Sequence, residues 1–201
     1  MTRFSGKTYG KVAFLGISAL LLATCSRDGR DMKPPTADQT ETIAIATTIA
    51  ESVAPFQALS IVAPWENGEP LNSQFTCEGS KLSPEFDIAG LPEGTVMWGV
   101  SIIDITAGDA VHWAVANVDP SITRVDAGVV PEGAVQSLNR VNKVGYAAPC
   151  PTVGEPHTYL FTVYALSQQL EVTDGVDGET MLASLEAGSL GITSITFTVT
   201  R

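Results

Sequence analysis

His112 and His157 are the only two histidines of the chain. Each sits beside an aromatic residue at the head of an apolar run, as His112-Trp113 in DAVHWAVANV and as His157-Thr158-Tyr159 in GEPHTYLFTVYAL. A neutral imidazole offers one donor and one acceptor nitrogen, and it becomes a double donor close to physiological pH. Two such rings beside aromatic surfaces suit the lining of a small pocket for a polar or anionic group. An anion needs donors, which His112, His157, the Tyr159 hydroxyl and loop N–H groups can supply. Asp104, closing another apolar run, can accept from an imidazole N–H or from a ligand ammonium. A head group carrying both phosphate and amine would use both signs. The plainer alternatives are a strand-end Asp104 satisfied by turn N–H groups and a core His112 satisfied by backbone. Trp113 and Tyr164 read as core residues.

The elements that must carry these residues read mostly as β. Residues 96–105, 110–118, 159–166 and 192–199 are apolar and β-branched runs of strand length, and the first two are separated by the turn Thr106-Ala107-Gly108-Asp109. Gly and Pro punctuate between them at Pro64, Gly68, Pro70, Gly90, Pro92, Pro120, Pro131, Gly133, Pro149 and Pro151. This spacing predicts a multi-stranded antiparallel sheet with long loops. The one helical pattern spans residues 178–185, where Glu179, Met181, Leu182 and Leu185 are amphipathic.

The amino-terminal segment reads as an address. Arg3, Lys7 and Lys11 precede an apolar stretch at residues 12–23 that is too short to span a bilayer and suits the core of an export signal. It ends in Leu22-Ala23-Thr24-Cys25, which resembles the lipobox of bacterial lipoproteins, where the cysteine is acylated and becomes the new first residue. Thr24 replaces the small residue usual before that cysteine, and an ordinary cleaved signal is the alternative. Cleavage before Cys25 would remove three basic and no acidic residues and take the net charge from -11 to -14. So acidic a body repels a phosphate backbone, which excludes nucleic acid as a partner. Attachment to a membrane would rest on lipid and not on a basic surface.

Residues 26–42 are polar and broken by Gly29, Pro34 and Pro35, a linker composition, and residues 43–49 alternate partly, as an early strand or as more linker. The expected division is a signal at 1–24, a lipidated cysteine and linker at 25–54, and one domain at 55–201. Cys77 and Cys150 remain. In an oxidising exterior they can pair, closing a loop that contributes roughly 2–4 kcal/mol, and two buried free thiols are the alternative. No metal-ligand spacing occurs. The segment Ala187-Gly188-Ser189-Leu190-Gly191 lacks the first glycine of a nucleophile elbow and leads into strand-like sequence, so no activated nucleophile accompanies Asp104 and His112. No enzyme activity and no cofactor are expected.

An ordered set of motifs carries a resemblance. Phe75-Thr76-Cys77-Glu78-Gly79, Ser83-Pro84, Pro92-Glu93-Gly94-Thr95, Asp104, His112-Trp113, Gly145-Tyr146, Pro149-Cys150-Pro151, Pro156-His157-Thr158-Tyr159 and Phe161-Thr162-Val163-Tyr164-Ala165-Leu166 occur in series. Together they resemble the phosphatidylethanolamine-binding protein family, in its bacterial exported branch, over residues 59–201. The resemblance implies a mainly β fold with one large antiparallel sheet, a smaller sheet and a few short peripheral helices. It also implies a surface pocket for a phosphate-like or carboxylate-like anion, which places Asp104, Thr106, His112, Gly145, Tyr146, Pro149, His157 and Tyr159 at the ligand. The sequence departs from the family pattern at Ile105-Thr106, where the family has proline and a second aspartate. It departs again at Ala148 and at Gly188, where glycine and histidine are usual.

The expected function is that of a lipid-tethered extracytoplasmic protein that binds a small anion or phospholipid head group and acts as a monomer or weak dimer. The competing expectation is a protein-interaction or inhibitor module in the cell envelope on the same scaffold. Eukaryotic relatives regulate kinases, which a tethered extracytoplasmic domain would not meet.

Overall fold

The computed structural model describes residues 58–201. The signal, Cys25, the linker and the domain start read near Pro55 lie outside the described residues. In chain order the elements are β1 (Ser60–Val62), β2 (Phe86–Ala89), β3 (Met97–Asp104), β4 (Ala110–Val118), β5 (Arg124–Val125), β6 (Val135–Gln136), β7 (His157–Leu166), α1 (Gly178–Gly188) and β8 (Ser189–Val199). A single-turn 3-10 helix lies at Ser73–Phe75. The five-stranded sheet runs β6-β4-β3-β7-β8 and the three-stranded sheet β1-β2-β5, with antiparallel pairing throughout both. The mainly β architecture with a larger and a smaller sheet and a short helix is the one the sequence implies.

Alternation along the central strands divides the large sheet into two faces. Trp98, Val100 and Ile102 of β3 and Tyr159, Phe161 and Val163 of β7 point to one side, where Phe86 and Ile88 of β2 and Val125 of β5 close over them. Edge-to-face contacts lock this core, with Phe86 4.9 Å from Phe161 and Trp65 5.2 Å from Phe197 between ring centroids. The opposite face carries Ala114 and Ala116 of β4 and Tyr164 and Leu166 of β7, which receive Met181 and Leu185 of α1.

Helix α1 starts where Asp177 caps the free N–H groups of Glu179 and Thr180. Its approach to the sheet depends on Gly99: a Cβ there would overlap Leu185 Cδ2 and lie 2.6 Å from the Val115 carbonyl oxygen. The helix extends three residues beyond the predicted 178–185, to Gly188, because Ala187 and Gly188 continue the turn until Ser189 enters β8. No helix among the described residues is long and apolar enough to cross a membrane.

Candidate functional site

Three strand ends converge at one edge of the core. Asp104 is the last residue of β3, His157 the first of β7, and His112 the third of β4. Asp104 pairs directly with Tyr159 across the β3–β7 ladder, and His157 shares the Tyr159 face by period-2 alternation.

His112 reaches this face through an irregularity. Ile102 pairs with Trp113, but Ile103 pairs with Val111, so His112 is an extra residue in the β3–β4 ladder. Unbroken alternation would set His112 opposite to Trp113, on the α1 side. The bulge instead turns it against Tyr159, at 5.1 Å between ring centroids and nearly perpendicular.

Hydrogen bonds fix the protonation pattern. The turn after β3 folds back so that Thr106 and Ala107 N–H both donate to Asp104 Oδ1 at 3.1 Å. Asp104 Oδ2 accepts from His157 Nδ1–H at 2.7 Å. Burial works to raise the Asp104 carboxyl, but the hydrogen bonds from His157, Ala107 and Thr106 and the nearby imidazole outweigh it and leave the carboxyl below its ordinary value. His112 Nδ1–H donates to the Ala147 carbonyl at 2.7 Å. Its Nε2 is buried, lies 4.0 Å from Asp104 Oδ2 and has no hydrogen-bond partner in the protein. Burial lowers the His112 pKa; the Ala147 bond and Asp104 oppose that shift, and Arg140 and His157 add to it. Burial, with the Asp104 charge close by, raises the Tyr159 phenol.

The loop over residues 145–151 is fastened on every side. Gly145 takes φ +97, and a Cβ there would meet Gln136 Oε1 at 3.2 Å, the atom that accepts the Trp113 indole N–H. Asn139 Nδ2 donates to the Gly145 carbonyl. The Tyr146 hydroxyl donates to the Phe75 carbonyl at 2.8 Å, so it serves as a strut between loops. Ala147 N–H returns to the His112 carbonyl, and Cys77 N–H donates to the Pro149 carbonyl. The Cys77–Cys150 disulfide, with Cα atoms 5.3 Å apart, closes the frame. No positive φ occurs at Ala148, so the loss of glycine there carries no backbone strain.

Asp104, His112, His157 and Tyr159 are thus brought into one cluster. Thr106 lies on its rim, where the hydroxyl accepts from Thr158 N–H and ties the β3 turn to β7. Gly145, Tyr146 and Pro149 hold the loop that supplies the Ala147 carbonyl. Gly188 is elsewhere, packed on Leu166 and Leu170 at the end of α1. Sequence reasoning did not find the Ala147 carbonyl or the role of Arg140, since neither residue type announces it. His157 is the open member, with its side chain 19% exposed. Clefts of about 270 Å³ between Arg140 and Asp177 and about 160 Å³ beside Leu71 and Thr198 lie away from this cluster. They hold no buried polar group without a partner, whereas the histidine cluster holds His112 Nε2. Among the described residues no group of three or more His, Cys, Asp or Glu is placed to hold a metal ion.

Comparison with known proteins places this geometry in a lineage. The family model described as phosphatidylethanolamine-binding protein matches residues 62–200, and the chain belongs to that family. The UPF0098 protein YbcL of Escherichia coli is 33% identical over 172 residues, spanning 77% of this chain and 93% of its own. A UPF0098 protein of Methanothermobacter thermautotrophicus is 34% identical over 126 residues, spanning 59% of this chain and 83% of its own. The crystal structure of YbcL superposes with a TM-score of 0.66 at 27% identity, covering 72% of this chain and 99% of that one. A phosphatidylethanolamine-binding protein homologue of Chlamydia trachomatis gives 0.65 at 25% identity, covering 72% and 98%. The family is named for binding, in keeping with a non-enzymatic role.

Proposed function

We propose that this chain is an extracytoplasmic, lipid-tethered member of the exported bacterial branch of its family, and that it binds a small anion or phospholipid head group at Asp104, His112, His157 and Tyr159. The observation that carries the reading is the buried, unpartnered His112 Nε2 beside a carboxylate. Leaving such a polar atom unmade costs about 1–3 kcal/mol, and a ligand at this point removes the penalty. Thr106, Gly145, Tyr146 and Pro149 frame the site. The basic-apolar leader and Cys25 support export and acylation, and the Cys77–Cys150 bridge suits an oxidising compartment. In this reading residues 1–24 are the signal, 25–54 the lipidated tether and 55–201 the binding domain.

Calorimetric titration with phosphate, acetate and a short-chain phosphatidylethanolamine tests it, at about pH 5.5 and 7.5 to bracket the histidine range. Saturable binding that disappears in a folded His112→Ala, His157→Ala double variant is expected. A double variant that binds as the parent does would move the function away from the histidines.

A second reading, a protein-interaction module in the envelope, draws on Leu190 and Ile192 of β8, which stay exposed at 48% and 51%. It predicts partner capture that ignores both histidines and is lost in a Leu190→Ser, Ile192→Ser variant.

A further inference from the structure

Both imidazoles turn the same nitrogen inward. His112 Nδ1 faces a backbone carbonyl and His157 Nδ1 faces a carboxylate, and neither partner has a hydrogen to give. Each Nδ1 must therefore carry the proton. In the neutral ring that leaves Nε2 as a bare lone pair. The site consequently presents acceptors, namely the His112 Nε2 lone pair and the Asp104 carboxylate, where an anion would need donors.

The surroundings of His112 define what resolves the conflict. Asp104 stands at the end of β3, His157 and Tyr159 on β7, Tyr146 in the fastened loop and Arg140 between β6 and that loop. Burial first, then Arg140 and His157, work against an imidazolium, while the Ala147 bond and Asp104 pull toward one without prevailing. An oxyanion placed against Nε2 adds a second negative charge next to the ring. The proton that was unfavourable becomes the bond that holds the ligand.

We propose that His112 is a proton-linked latch: an oxyanion binds here together with one proton taken from solvent onto His112 Nε2, which then donates to the ligand while Nδ1–H keeps its bond to Ala147. The inference rests on the binding reading above and adds its proton stoichiometry and pH control. The charge balances, since one anion and one proton enter as a neutral pair. The site therefore rejects anions progressively as pH rises, and His157, nearer to solvent, orients without carrying the obligatory proton.

The test uses the full chain and dimethyl phosphate, a diester whose charge stays fixed across the range. Titration in two buffers of different ionisation enthalpy gives the number of protons taken up on binding. About one proton per ligand is expected at pH near 7.5, and affinity should fall about tenfold for each pH unit on the alkaline side. In ¹⁵N-histidine spectra of the wild type, His112 Nε2 should change from an unprotonated to a protonated signal when ligand is added. The His157→Gln variant should keep the proton uptake, and a folded His112→Gln variant should lose it. Saturable binding with no proton uptake and a flat pH profile, or an unchanged Nε2 signal, would overturn the latch and leave the binding reading standing. Absence of saturable binding at every pH from about 5.5 to 8 would overturn both.

Discussion

Asp104 and Tyr159 stand directly opposite one another in the β3–β7 ladder, so the carboxylate that orients His157 also lies against the phenol. One carboxylate oxygen serves the turn and the other serves the site. The Asp104→Asn variant separates these duties. Its amide oxygen can still accept from Thr106 and Ala107, but its NH2 would face the His157 Nδ1–H, donor against donor. We expect a folded protein destabilised by about 1–3 kcal/mol in urea titration, with His157 moved to the other tautomer in ¹⁵N spectra.

Acid should weaken the fold in two stages. The native His112 pKa lies below its ordinary 6.5, so the unfolded chain takes up that proton first, and stability declines as pH falls below about 6.5. The native Asp104 pKa lies below its ordinary 3.8, so its contribution is complete above that value and is lost as pH falls through the native one. Urea midpoints across pH should show both declines, and His112→Gln should erase the first.

The disulfide spans 73 positions of sequence. A Cys77→Ala, Cys150→Ala variant should lose roughly 2–4 kcal/mol and should show faster amide exchange at Tyr146 and Ala147 than at β3. Equal exchange at the two places would mean that hydrogen bonds alone hold the loop.

Gly99→Ala should be among the most damaging single substitutions outside the site. Its methyl group meets Leu185 and the Val115 carbonyl, and the latter belongs to backbone that cannot step aside. A loss of about 1–3 kcal/mol is expected in thermal or urea unfolding, with α1 showing the largest rise in exchange.

Acylation is testable apart from binding. The proposed lipid anchor predicts that the chain expressed in a bacterial host incorporates labelled palmitate and fractionates with membranes, and that Cys25→Ala abolishes both. Label retained in the variant would remove Cys25 from the argument.

Much of this architecture is legible in the sequence because it is written in alternation. Residues 110–118 are read as a strand with the bounds that β4 has, and the runs of β3, β7 and β8 agree with their strands to within three residues at each end. The pairing of Cys77 with Cys150, one of two open readings, is the one the structure contains. What escapes is whatever depends on register or on backbone. Alternation assigns His112 to the wrong face, since a bulge depends on the partner strand's count and not on the residue types of its own. Tyr146, which the resemblance places at the ligand, gives its hydroxyl to the distant Phe75 carbonyl, a partner no local pattern points to. The Ala147 carbonyl, which fixes the tautomer of His112, is invisible because every residue has a carbonyl.

The extra residue in β4 has a consequence for descent. A strand shorter by that one position would keep an unbroken ladder from Val100 to Asp104, the same hydrophobic composition and the same helix packed upon it, yet would carry its histidine beneath α1 and away from Asp104. Such a chain would fold and would still be recognised as kin while lacking the approach of His112 to Asp104. Scaffold and site can therefore be inherited separately, and counting residues from the end of β3 to Trp113 tells a relative that has kept both from one that has kept only the first.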